Sequence, residues 1–221
     1  MPDNWSSSIA ALKDTGPFVA ILLFFAAQIV GGVVVLLRRN VEKKRLVRAI
    51  FSEIVYNCEG LRVYSIKSTP QQQTDAREKL IGSPDFRPHV IYAVHTNFYA
   101  GNVNHLGVLH SEVIAALIAF YNDLETLRAD AAGFNLPSFT TISPEGRAEV
   151  FRLFTAGIAD TSIVGSRAIV LMHDNYAAYF RGFTIPKGVE FGRASAFSNL
   201  TYYIERLRLE IKEADKAPPK P

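Results

Sequence analysis

The apolar positions of this chain form one unbroken run followed by a series of helical periods. The run, Pro17 to Leu37, holds 21 residues, no charge, and one polar side chain, Gln28. At about 1.5 Å of rise per residue, a helix of that length spans about 31 Å, close to the roughly 30 Å of a bilayer's hydrocarbon core. The run therefore predicts a transmembrane helix. Asp14 or Thr15 is placed to cap it, and Pro17 suits a first turn, where its missing N–H is not needed. Residues 1–16 ahead of it are read as a short extracytoplasmic N-terminus. A cleaved signal peptide fits less well, because its apolar region is about 7–15 residues and its basic residues come first.

After the run the pattern changes to amphipathic spacing. Leu46, Val47, Ile50, Phe51, Ile54, Val55, Cys58, Leu61 and Ile66 recur at helical intervals and predict one helix from Val41 to Ser68, continuous with the span. Ser68-Thr69-Pro70 and the Gln71–Gln73 run break it. Asp75–Glu78 opens a short helix ending at Gly82, and Pro84 and Pro88 make a loop. A helix over Val90–Leu106 is predicted to end on Gly107 in a left-handed cap, and a helix from the cap Ser111 to Ala132 to end on Gly133. Ser143-Pro144-Glu145 combines a cap, a first-turn proline and an early acid, and opens a helix reaching His173 or Phe180. Gly182–Gly188, with Pro186, reads as a turn, Ser195–Ala214 as a last helix, and residues 215–221 as a disordered tail. No stretch alternates with period two for long. The predicted fold class is all-α: one N-terminal transmembrane helix, then an antiparallel helical bundle over residues 49–214.

Charge sets the expected orientation. Segment 38–48 carries six basic residues, Arg38, Arg39, Lys43, Lys44, Arg45 and Arg48, against Glu42 alone. Residues 49–221 carry 17 basic and 18 acidic side chains, so the basicity is a juxtamembrane block and no nucleic-acid footprint. One basic residue, Lys13, precedes the span. The positive-inside rule then places the N-terminus outside and the bundle in the cytoplasm, at the inner (plasma) membrane. A basic residue beside anionic headgroups contributes about 1 kcal/mol, so the bilayer is the first expected partner. Ala27 and Gly31 make a small-xxx-small pair, which predicts a homo-oligomer through the span. The single cysteine, Cys58, excludes an intramolecular disulfide and fits a reducing compartment. Its place on an apolar stripe predicts a buried thiol.

Candidate chemistry is sparse. There is no P-loop, G-x-S-x-G or G-x-G-x-x-G motif. His89, His95, His105, His110 and His173 form neither i,i+4 pairs nor E-x-x-H, and a zinc site from the scattered His105, His110 and Glu112 is the weaker reading beside surface or helix-end histidines. His173 and Asp174 are neighbours, and adjacent helical residues point about 100° apart, which is not in itself a catalytic dyad. No cofactor or metal is expected. Asn57 is different: it sits within an apolar stripe, and a buried amide has to find partners. The expected partners are in a corner comprising Glu53, Asn57, Asn102, Leu106 and Gly107.

Those residues also carry a resemblance. Glu53-Ile54-x-x-Asn57-x-x-x-Leu61, then Asn102-x-x-x-Leu106-Gly107-x-Leu109-x-x-Glu112-Val113 and Phe120-Tyr121-x-x-Leu124, resemble a loose group of uncharacterised bacterial membrane-anchored proteins. These have an N-terminal span, an E-I-x-x-N helix and an N-x-x-x-L-G-x-L turn. The similarity covers about residues 20–130 and implies a helical cytoplasmic domain with no known activity. The expected function is a non-enzymatic, membrane-anchored interaction or scaffold protein with an unidentified protein partner. The alternative is a membrane sensor or effector, in stress or phage response, that signals through the membrane or perturbs it.

Overall fold

The computed structural model describes residues 4–67, 69–88, 94–184 and 200–217. All regular structure among them is helical: α1 (Asn4–Lys67), α2 (Pro70–Gly82), α3 (Asn97–Asn102), α4 (Ser111–Gly133), α5 (Pro144–Tyr176) and α6 (Leu200–Lys216), with 3-10 turns at Val103–Val108, Pro137–Thr141 and Ala177–Phe180. The chain divides into two compact units, Met1–Arg45 and Leu46–Pro221.

The first unit is helical throughout its described residues, and every side chain from Ile21 to Leu37 is exposed. This part of α1 is long and apolar enough to cross a membrane. The helix starts at Asn4, well ahead of the expected Asp14–Pro17 start. Ile9 to Leu12 are helix formers, and the helix passes through Pro17 at the loss of one backbone bond.

The second unit has one core. On α1 the residues Val47, Ile50, Phe51, Ile54, Val55, Cys58 and Leu61 are all buried, the face expected from their spacing. They pack in one cluster with Val113, Leu117, Phe120 and Leu124 of α4, with Phe151, Phe154, Ile158, Ile169 and Met172 of α5, and with Tyr203, Ile204 and Leu207 of α6. α5 is itself long and apolar, but its apolar face is core. Between α4 and α5 the close approaches are Leu127 with Gly157 and Phe120 with Gly165, and the Tyr176 hydroxyl accepts from the His110 N–H at 2.8 Å.

Several local expectations are revised. α2 starts at Pro70, not Asp75: the Thr69 hydroxyl accepts from the Gln72 N–H and the Gln72 side chain accepts from the Thr69 N–H, a reciprocal capping box with proline in the first turn. The same Thr-Pro that ends α1 therefore begins α2. The helix expected over Val90–Leu106 is only α3 and a following 3-10 turn, and residues 94–96 are irregular. Residues 90–93 of that expectation lie outside the described residues, as do residues 185–188 of the expected turn, 195–199 of the expected last helix and 218–221 of the tail. Gly107 lies inside the 3-10 turn and Gly133 is the last residue of α4. Neither takes a left-handed conformation; among the described glycines Gly182 does, with φ of 68°. Ser111 is the first residue of α4 and His110 its cap, without a side-chain bond. Ser143 caps α5 as expected, its hydroxyl accepting from the Gly146 N–H at 3.1 Å. α6 continues to Lys216, past the expected limit at Ala214.

Candidate functional site

Part of α1, from Arg48 to Arg62, is where the unit's polar chemistry gathers. Glu53, Asn57 and Glu59 are buried on it despite their polarity.

Glu53 and Asn57 lie one helical turn apart and hold the segment that opens α3. The Asn57 amide donates to the His95 carbonyl at 2.6 Å, and its carbonyl accepts from the His95 N–H at 2.9 Å. The Glu53 carboxylate accepts from the N–H groups of Phe98 (2.7 Å) and Tyr99 (3.0 Å). These are first-turn amides of α3, with no partner inside the helix, so the carboxylate caps the helix from a distant element. The Tyr121 hydroxyl donates to the same carboxylate at 2.7 Å, and burial together with that bond pushes the phenol's pKa up. The Tyr121 ring stacks on Tyr99, centroids 3.8 Å apart. The start of α3 is set by Glu53, and the irregular segment before it is held by Asn57.

Asn57 and Glu53 thus find their partners at His95, Phe98 and Tyr99, and not at the expected Asn102, Leu106 and Gly107. Asn102 hydrogen-bonds the Phe98 carbonyl of its own helix (2.8 Å), Leu106 is in the core, and Gly107 is exposed. Asn57→Leu removes both bonds to His95 and leaves that backbone unpaired. It should cost about 1–3 kcal/mol. Asn57→Asp should cost more, since it places a charge beside the His95 carbonyl. Denaturant unfolding of the full chain in detergent, followed by circular dichroism, measures both; melting of the two variants at the wild-type midpoint would refute this pairing.

A second assembly was not anticipated. Glu59, Arg62, Ser166, Tyr203, Arg206 and Glu210 form one ion-pair network inside the bundle. Arg62 pairs with Glu59, with Glu210 at 2.6 Å, and donates to the Ser166 hydroxyl at 2.9 Å. The Tyr203 hydroxyl donates to Glu59 at 2.9 Å. Arg206 reaches Glu59 at 3.2 Å and Glu210 at 3.5 Å. Two guanidiniums thus face two carboxylates, formally neutral. Burial works against the Arg62 charge, but the oxygens of Tyr203, Glu59 and Glu210 outweigh it and hold the guanidinium above its ordinary range. Burial, reinforced by Glu59, keeps the Tyr203 phenol well above its usual value. Burial also raises the adjacent Cys58 thiol to about 12, so at neutral pH it is protonated and packs as a small apolar group, in line with its apolar position. The only sequence signal for this network was charged residues on the inward side of α1 and α6.

The remaining expected residues are dispersed. In the basic block Arg38 is solvent-exposed and paired with Glu42 at 3.0 Å. Arg39, Lys43, Lys44 and Arg45 are exposed or half-buried. Arg48 has partners in the second unit: its guanidinium donates to the Tyr179 carbonyl (2.7 Å) and the Arg181 carbonyl (3.0 Å). Ala27 and Gly31 are exposed, with nothing within 4 Å of the place a Cβ would take on Gly31. His173 Nδ1 and Asp174 Oδ1 do approach, at 3.3 Å, and Arg208 pairs with that carboxylate at 2.6 Å. Among the described residues no three of His, Cys, Asp and Glu gather as a metal site. Arg147, also unanticipated, is buried and donates to the Leu80 carbonyl at the end of α2 (2.8 and 3.2 Å), joining α5 to α2. No protein-family model, curated protein or solved structure matches this chain.

Proposed function

We propose that the chain is a non-enzymatic, membrane-anchored interaction or scaffold protein of bacterial type. In this reading α1 crosses the inner membrane once, with the N-terminus outside, and the bundle is cytoplasmic. The observation that carries it is the uncharged run Pro17–Leu37, exposed over Ile21–Leu37 and followed at once by Arg38 and Arg39. An exposed apolar surface of that length needs a lipid or protein partner. The order of contacts between α4 and α5, late with early and early with late, supports an antiparallel arrangement in the bundle. The Glu59–Arg62 network, in which each guanidinium faces a carboxylate, supports a structural rather than a reactive interior. Self-association through Ala27 and Gly31 belongs to the same proposal, as does a protein partner.

Topology tests the reading. A reporter active only in the cytoplasm should work when fused after Pro221 and be silent when fused before Met1. Replacing Arg38, Arg39, Lys43, Lys44 and Arg45 with Gln should give mixed or inverted insertion. An inverted wild-type pattern would overturn the orientation, and uniform native insertion of the five-Gln variant would remove the basic block as its cause.

A further inference from the structure

We propose that the first unit pairs with a second copy of itself through Gln28, whose side-chain amide hydrogen-bonds the Gln28 amide of the other copy in the middle of the bilayer. This deepens the self-association given above and rests on the reading of α1 as a membrane-crossing helix.

Depth carries the argument. Gln28 is the one polar side chain between Pro17 and Leu37, eleven residues after the first and nine before the second. On a helix those counts place it about 16 Å and about 13 Å from the two ends of the run. A glutamine side chain is far shorter than either distance. Its amide therefore does not reach headgroups or water, as a long basic side chain near a helix end does. The side chain is exposed on its helix, and among the described residues its amide has no hydrogen-bond partner. In hydrocarbon an unpaired amide is costly, and no other side chain of the run can meet it. Its partner has to come from another helix.

A second copy supplies a matching group. Both copies insert the same way, so their glutamines lie at one depth. An amide has an acceptor oxygen and two N–H donors. Across a two-fold axis each Gln28 donates to the other's oxygen and accepts in return, so one residue type completes the contact by itself.

The shape of the face agrees. Gly31 and Gly32, three and four positions on, lie to either side of Gln28 one turn further along. Nothing lies within 4 Å of the place a Cβ would take on either. That turn therefore presents bare backbone, where two helices can close to the distance at which short amides meet. One turn before Gln28 stand Phe24 and Phe25, 60% and 59% exposed. The paired helices are thus closest at the glycines and splay toward the phenylalanines. Adjacent glycines weaken a helix interior, and close packing is the use such a pair has in a span.

The test is sedimentation equilibrium of the full chain in a density-matched zwitterionic detergent, over a range of protein-to-detergent ratios. Wild type should fit a reversible monomer–dimer equilibrium. Gln28→Leu should weaken the dimer by about tenfold with an unchanged circular dichroism spectrum. Gly31→Leu should weaken it as well, by holding the backbones apart. Ala26→Leu, which adds the same bulk on the opposite side of the helix, should leave it unchanged. A wild-type chain that stays monomeric, a Gln28→Leu dimer as tight as wild type, or equal weakening by Ala26→Leu would overturn the proposal. Carbonate extraction of membranes separates the two readings: release of the wild-type chain refutes the anchor, whereas a retained chain that is monomeric in detergent refutes the Gln28 pair alone.

Discussion

Arg62→Leu should destabilise the protein by about 3–5 kcal/mol, the usual cost of removing one partner from a buried ion pair. Its guanidinium is 13% exposed and its partner Glu59 6%. Without it, Glu59 stays buried with Arg206 and Tyr203, and Ser166 and Glu210 each lose a donor. Arg206 offsets part of the charge, because it reaches both carboxylates. Glu59→Gln should therefore cost less: Arg62 keeps Glu210 and Ser166, and the amide oxygen still accepts from Tyr203. Arg62→Lys should rescue little, because a single ammonium cannot meet Glu59, Ser166 and Glu210 in three directions as the planar fork does. Denaturant unfolding of the full chain in detergent would show a lower midpoint for the Leu and Lys variants. A wild-type midpoint for Arg62→Leu would mean that the network contributes nothing to the fold.

Gly165→Ala should destabilise by about 1–3 kcal/mol or more, although alanine is the better helix former. A Cβ on Gly165 falls 2.3 Å from the Cys58 Sγ and 2.5 Å from the Phe120 ring. Both side chains are fully buried, on α1 and α4, so three helices meet where α5 has no side chain. Helix propensity favours alanine by only about 1 kcal/mol, and the overlap exceeds it. Gly60→Ala makes the opposite comparison. Gly60 lies in the same fold, inside α1 two turns before its end, with nothing within 4 Å of its added Cβ. That variant should gain about 0.5–1 kcal/mol. Adding Cys58→Ala to Gly165→Ala should restore part of the loss, leaving the clash with Phe120. Thermal melts of the four proteins measure this, and equal melting of Gly165→Ala and wild type would show that the helices separate freely there.

The two glycines show where local reading stops. Both are glycines within helical periods, and nothing in their neighbours along the chain separates one from the other. The difference lies in Cys58 and Phe120, supplied by other helices.

Local pattern settled a good deal. Apolar spacing named the buried face of α1, because a helix of fixed pitch carries residues three and four apart to one side whatever it packs against. Ser143-Pro144 named the start of α5, because a cap acts on its own backbone a few bonds away. The uncharged run Pro17–Leu37 set a length and polarity that suit a bilayer, properties of the segment alone. The polar interior was decided only in three dimensions. Asn57 needed a partner and the stripe around it said so, but His95 is 38 positions away and lies in an irregular segment. Arg62 and Glu210 are 148 positions apart. Pairing at that range depends on which helices pack and in what register, and a charged residue looks the same in sequence whether it faces water or an opposite charge in the core. Glu53 makes the same point for secondary structure: its carboxylate, fixed by the packing of α1, decides where α3 begins.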